Sequence, residues 1–174
     1  DIKQKHQVFY YLGITDFLEE YFWDRNTRNL DPDCSVPIDE KSFRKAQELI
    51  YSTGGHLENL FCLCPGSVNS EAKRWPADYF AVLADLLRKN HDAKIVFVGS
   101  SSESNMINDI IAKMVKPGAL NLAGKTDLVT SMAIMKLSRL VISNDTGSAH
   151  LAVAASAPVL TIFGPTVPGA TAPY

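Results

Sequence analysis

Two polar loops hold the residues of this chain that suit chemistry on a charged ligand. The first runs Pro65-Gly66-Ser67-Val68-Asn69-Ser70-Glu71-Ala72-Lys73-Arg74-Trp75-Pro76. Gly66 lets the backbone come close to a ligand, Ser67 offers a hydroxyl, and Lys73 and Arg74 offer cations, with Lys73 the better phosphate partner. Taken alone, the same loop would serve equally as a solvated entry to a helix. The second loop, Ser143-Asn144-Asp145-Thr146-Gly147-Ser148, leads into an Ala-rich apolar segment from Ala149 to Ala155. A helix starting there presents N–H groups without intrahelical partners and about half a positive charge, which suits a phosphate. Asp145 lies in that loop, and His150 one turn inside the same mouth. Against a functional role, Asp in a turn commonly bonds its own backbone, and a histidine on an Ala-rich helix is commonly a packed core residue. Together the two loops offer what a negatively charged leaving group needs when no metal is present: a lysine and a helix N-terminus to neutralise developing negative charge.

A second carboxylate belongs to the set. Glu103 follows Gly99-Ser100-Ser101-Ser102 beyond a predicted second strand, where an acidic residue bonds ribose hydroxyls or favours a helix dipole from its first turn. No G-x-G-x-x-G spacing is present, which argues against a nicotinamide or flavin dinucleotide, and no cofactor or metal is expected. Two lookalike motifs fall away. Asp145-Thr146-Gly147-Ser148 has the letters of an aspartic-protease signature, but that chemistry needs two carboxylates sharing a proton on an all-β scaffold. Gly124-Lys125-Thr126 resembles the end of a P-loop, but the required earlier glycine falls at Ala119, and Thr126 reads better as a helix N-cap.

The elements that must position these residues follow from apolar patterning. Leu60-Phe61-Cys62-Leu63-Cys64 is a continuous apolar run, as in a strand buried on both faces. A helix from Asp78 to Lys89 with a wide face (Tyr79, Phe80, Val82, Leu83, Leu86, Leu87) leads to a strand from Lys94 to Val98. Helix Glu103–Val115, strand Ala119–Leu122 and helix Asp127–Leu137 come next. The strand Leu140-Val141-Ile142, the Ala-rich helix stopped by Pro158, and a strand from Val159 to Phe163 complete the series. Short connections and strand–helix alternation predict a doubly wound α/β fold with a parallel sheet. If the strands are ordered 3-2-1-4-5, the loops after strands 1 and 4 flank the switch point where ligands settle.

Residues 1–59 are less regular. Short aromatic helices from His6 to Ile14 and from Asp16 to Tyr21, separated at Gly13, are expected, then an irregular stretch from Asn26 to Pro37. Asp39 can cap a helix from Glu40 to Ser52 that has Phe43, Ala46, Leu49 and Ile50 on one face and Gly54-Gly55 at its end. The expected division is therefore a connecting, helical appendage over 1–59 and a Rossmann-like domain over 60–174. The first residue, Asp1, falls within a helical pattern, and the last, Tyr174, follows a Pro/Gly loop, so both ends are expected to be cut from something longer.

Composition excludes several classes. The 174 residues are 46% hydrophobic and 21% charged with a net charge of −2, giving no electrostatic case for nucleic acid. No apolar run reaches the ~20 residues of a membrane span, and no signal-peptide pattern is read. Of the three cysteines, Cys62 and Cys64 would share one face of a strand as core residues. That is no disulfide framework, and it fits a reducing compartment.

Five motifs in order, Lys73-Arg74-Trp75-Pro76, Phe97-Val98-Gly99-Ser100 with Glu103, Leu122-Ala123-Gly124-Lys125-Thr126, Ser143-Asn144-Asp145-Thr146-Gly147 with His150, and Phe163-Gly164-Pro165-Thr166, resemble the glycosyltransferase family 9 heptosyltransferases. The likeness spans residues 60–170, with 1–59 only loosely similar to that family's inter-domain connection. It implies the C-terminal, donor-binding half of a GT-B enzyme that transfers heptose from ADP-heptose to a lipopolysaccharide-core acceptor, with inversion. It further implies a cytoplasmic protein, or one peripheral at the inner face of the cell membrane. On this resemblance Ser67 and Lys73 meet the diphosphate, Glu103 the ribose, and Thr126 the surroundings of the adenine. Thr146 and Gly147 give backbone donors to the phosphates, while Asp145 and His150 lie near the sugar or diphosphate. The family's general base lies in an N-terminal domain not represented here, so the isolated chain is expected to be inactive. Alternatives are another GT-B activity, such as a nucleotide-sugar epimerase, or a nucleotide-binding module without catalysis.

Overall fold

The computed structural model describes residues 6–25, 32–67 and 71–174. In chain order these form α1 (Gln7–Trp23), α2 (Glu40–Ser52), β1 (Leu60–Cys64), α3 (Ala77–His91), β2 (Lys94–Phe97) and α4 (Ser104–Lys113). After them come β3 (Leu120–Asn121), α5 (Leu128–Leu137), β4 (Leu140–Asn144), α6 (Gly147–Ala154), β5 (Val159–Ile162) and α7 (Pro168–Thr171). All strand pairs are parallel, in the order β3-β2-β1-β4-β5. The chain therefore has the doubly wound Rossmann-like architecture expected, with the supposed strand order.

The core is split by the sheet, as a strand's two-residue side-chain period requires. Leu60, Cys62 and Cys64 face one cluster, shared with Ala46 and Ile50 of α2, Met132–Met135 of α5 and Ala152 of α6. Phe61 and Leu63 face the other, with Phe80, Ala81 and Ala84 of α3 and Ile107 and Ile110 of α4. All five β1 residues are buried, so the continuous apolar run reads as it should. Cys62 and Cys64 do share a face, their sulfurs 3.9 Å apart, and Cys34 is exposed. The hydrogen bond with Cys64 and then burial hold the Cys62 thiol well above the ordinary range, so it stays protonated. α2, although it precedes the division expected at 59/60, is sealed to the same sheet face through Ala46 and Ile50.

Several local expectations give way. α1 is one helix running through Gly13, because a single interior glycine costs only about 1 kcal/mol and, unlike proline, breaks no hydrogen bond. None of its residues is buried. On α3 the apolar face is narrower than its sequence suggests. Phe80, Ala81 and Ala84 are buried, while Tyr79, Val82 and Leu86 are 54%, 55% and 49% exposed. α4 begins at Ser104 after a short 3-10 turn, Ser101–Glu103, and not at Glu103. Asp39 caps α2 as expected, its carboxylate accepting from the Ser42 N–H at 2.8 Å. The expected irregular stretch is described only from residue 32, and positions 26–31 lie outside the described residues. Among the described residues no helix is long and apolar enough to cross a membrane.

Candidate functional site

β1 and β4 are neighbours in the sheet, so their carboxyl ends bring the two polar loops side by side. The joint is made by side chains. Asn144, the last residue of β4 and fully buried, donates from Nδ2 to the Pro65 carbonyl at 2.7 Å and accepts at Oδ1 from the Trp75 N–H at 3.1 Å. One amide thus holds both ends of the loop after β1, and both of its polar atoms are satisfied, as a buried amide requires. Arg74 closes the same loop from within, its guanidinium donating to the Ser67 carbonyl at 2.8 and 3.2 Å. Arg74 therefore acts as a loop brace, and it is absent from the lining of the cleft described below.

Lys73 ends a 3-10 turn, Glu71–Lys73, that precedes α3. Its ammonium lies 2.9 Å from Asp145 Oδ2, and Thr166, in the loop after β5, donates its hydroxyl to that same oxygen at 2.6 Å. Asp145 is 3% exposed, so its charge is satisfied by long-range partners and not by its own turn. Burial alone would push its carboxyl up. The Thr166 hydrogen bond, followed by the hydrogen bond and charge of Lys73 and the charge of His150, outweighs burial and holds the carboxyl below its ordinary value. Asp145 is ionised and Lys73 is its counter-ion.

α6 opens directly after Asp145. Thr146 is its N-cap residue with extended backbone and no side-chain capping bond, which leaves the first N–H groups of the helix uncapped by a side chain. His150 is exposed on the first turn, so the reading as a packed core histidine is set aside.

The loop after β2 completes the wall. Glu103 Oε2 accepts from the Ser100 N–H at 2.7 Å and the Ser100 hydroxyl at 2.9 Å, a capping-box arrangement. A Cβ at Gly66 would fall on the Glu103 carboxylate. Gly66 therefore admits a neighbouring acid from the chain itself, a use of its missing side chain that sequence reasoning assigned to a ligand. Thr126 is not the cap of α5. Asp127 is, accepting from the Thr130 N–H at 2.7 Å, while Thr126 shares a hydrogen bond with the Ser131 hydroxyl at 2.7 Å. The Asp127 carboxylate also pairs with Lys45 of α2 at 2.6 Å, and that hydrogen bond, followed by those from Thr130, holds it far below the usual range.

These loops enclose a cleft of about 750 Å³ at the carboxyl edge of the sheet. Gly66, Ser67, Lys73, Glu103, Thr126, Asp145, Thr146, Gly147 and His150 all line it. Every site position expected from the sequence is thus brought to one crevice, of a size that suits a nucleotide-sized ligand. Sequence reasoning missed Asn144, Thr166 and Ser131. A buried amide at a strand end was a usable signal for the first, and the place of Thr166 in the Phe163-Gly164-Pro165-Thr166 motif for the second, whereas Ser131 gave none beyond its place on α5. Among the described residues no three His, Cys, Asp or Glu side chains converge to hold a metal ion.

The sequence profile described as Glycosyltransferase family 9 (heptosyltransferase) matches residues 4–174. The lipooligosaccharide heptosyltransferase 2 of Haemophilus influenzae is 33% identical over 112 residues, which cover 63% of this chain and 32% of that protein. The crystal structure of a family 9 glycosyl transferase from Veillonella parvula superposes with a TM-score of 0.82 at 26% identity, over 100% of this chain and 48% of that one. The structure of ADP-heptose lps heptosyltransferase II from E. coli superposes with a TM-score of 0.72 at 27% identity, over 86% of this chain and 45% of that one. The chain spans between about a third and a half of the length of these relatives.

Proposed function

This chain belongs to glycosyltransferase family 9, and from that premise we propose that it is the donor-binding half of a heptosyltransferase. The donor is a nucleotide-diphosphate sugar, ADP-heptose, and the acceptor is a lipopolysaccharide-core saccharide. The unit that binds the donor is residues 60–174, with 1–59 connecting it to the remainder of the enzyme. The observation that supports this most directly is the meeting of the loops after β1 and β4, which sets the Lys73 ammonium beside the open N-terminus of α6 in one cleft.

In this reading the diphosphate lies across that mouth. Thr146 and Gly147 donate backbone N–H groups to it, Ser67 offers its hydroxyl, and Lys73 neutralises the charge that grows on the leaving phosphate as the glycosidic bond breaks. Glu103 faces the ribose with the carboxylate oxygen that the Ser100 cap leaves available, and Thr126 lies beside the base. Asp145 holds Lys73 in place, and His150 reaches the sugar or the phosphates. The transfer inverts the anomeric centre, and the general base that deprotonates the acceptor is an acid outside this chain, so 1–174 alone binds donor without turning it over. The enzyme works in the cytoplasm, peripheral at the inner face of the membrane that carries its acceptor.

The test is calorimetric titration of the chain with ADP, UDP, CMP and GDP. Binding of ADP in preference to the other three is expected. No nucleotide binding, or equal binding of all four, removes the donor assignment.

A further inference from the structure

Thr166 lies outside the cleft, yet it donates the shortest hydrogen bond in the group around Asp145. Its hydroxyl stands 2.6 Å from Asp145 Oδ2, the oxygen that also holds the Lys73 ammonium at 2.9 Å. Among the described residues that line the cleft, Lys73 and Asp145 appear and Thr166 does not. Thr166 arrives from the loop after β5, and β5 pairs with β4 through Asn144 and Ile162. The same loop presses on the turn that carries Lys73, because a Cβ at Gly164 would stand 2.8 Å from the Ala72 carbonyl oxygen. A third loop is thus packed against the Lys73 turn through its backbone and against Asp145 through one hydroxyl.

A carboxylate that is 3% exposed needs more than one donor to remain fixed. Lys73 is half-buried on a long side chain, and it has a second prospective partner in the cleft. If it turns toward a phosphate, Thr166 is the side-chain donor that stays on Asp145 among the described residues. We infer that Thr166 is a positioning residue, which anchors the Asp145 carboxylate so that Asp145 can present Lys73 to an anionic ligand and receive it back. This deepens the donor-binding reading and rests on it for the identity of the anion. Among the described residues, the charged and titratable groups that face Asp145 are Lys73, from the turn before α3, and His150, from α6.

Two measurements test the assignment on the whole 174-residue chain. The first is ADP affinity in a cycle of Thr166→Val and Lys73→Met, singly and combined. Thr166→Val is expected to weaken ADP roughly tenfold when Lys73 is present and to change it less than about twofold when it is not. Thr166→Ser, which keeps the hydroxyl, should stay within about twofold of the unaltered chain. The second is the 13C titration of the Asp145 carboxyl, whose midpoint should rise in Thr166→Val and return in Thr166→Ser. Equal weakening by Thr166→Val with and without Lys73, or an unmoved Asp145 midpoint, overturns the role. If Thr166→Val does not fold, Thr166→Ala is read in the same two ways. If the unaltered chain binds no ADP, the donor reading fails on its own, and the carboxyl titration decides the role of Thr166.

Discussion

Lys73 and Asp145 stand 72 positions apart in the chain, and their charged groups lie 2.9 Å apart. The pair crosses from the loop after β1 to the loop after β4, so it records the closure of the site. It also means that the cleft's lysine already has a counter-ion before a ligand arrives. Removing it should act twice. Lys73→Ala is expected to weaken ADP by roughly ten- to a hundredfold, the range for a hydrogen bond to a charged group. It should also lower stability by about 1–3 kcal/mol, because Asp145 is left buried with one donor fewer. Calorimetry and chemical denaturation read the two effects separately. Unchanged ADP affinity in a folded variant would remove Lys73 from the binding role.

The depressed carboxyl of Asp145 sets a pH dependence with a definite sign. A group whose folded pKa is lower than its unfolded value of about 3.8 adds stability above the unfolded value, and this is lost as pH falls through the folded one. The melting temperature of the unaltered chain should therefore exceed that of Asp145→Asn by a constant margin above about pH 5, and the margin should shrink below about pH 4. Melts of both proteins between pH 2.5 and 7 check it. A margin that stays constant throughout that range would show that Asp145 is not held ionised by its partners.

Gly66 and Glu103 make a second pair whose contact can be tested by addition. Gly66→Ala places a methyl group on the Glu103 carboxylate and should destabilise by about 1–3 kcal/mol, the usual cost of overpacking. Combining it with Glu103→Ala, which vacates the space, should recover part of that loss, so the double variant is less destabilised than the sum of the singles. Denaturant midpoints of the four proteins decide it, and strict additivity would sink the contact.

Asn144 offers a sharper discrimination. Asn144→Ala strands the Trp75 N–H and the Pro65 carbonyl and should cost about 2–4 kcal/mol, one to two unpaired buried groups. Asn144→Asp keeps the acceptor for Trp75 but sets a buried carboxylate against the Pro65 carbonyl oxygen, so it should be at least as damaging at neutral pH. Equilibrium unfolding of both checks the order. Full tolerance of Asn144→Asp would mean that the Pro65 bond contributes nothing.

How much of this was legible in advance depended on the kind of signal. β1 announced itself through five consecutive apolar residues, and the short alternating connections then left few topologies, so the crevice between the loops after β1 and β4 could be located. Lys73, Thr146 and His150 reached the cleft because their types matched a chemistry and the fold decided the place. The exceptions share a physical cause. Thr126 lost the cap to Asp127 because two good capping residues stand side by side, and only the helix start decides between them. Glu103 and Gly66 reach the cleft as expected, but their contact with each other was not legible, because sequence shows which groups can bond and not which neighbours they also touch. Arg74 and Thr166 serve as braces through partners 7 and 21 residues distant, which no local pattern encodes.

The Asn144 brace bears on how such a domain can be re-engineered. Its amide grips the entry and the exit of the loop after β1 while belonging to a different strand, so that loop is not a detachable module. A chimera that imports residues 65–76 from a relative would inherit a shape calibrated to a foreign β4 tail. Grafts that carry residues 143–147 along with it keep the clasp and the clasped parts matched, and swaps confined to one loop do not.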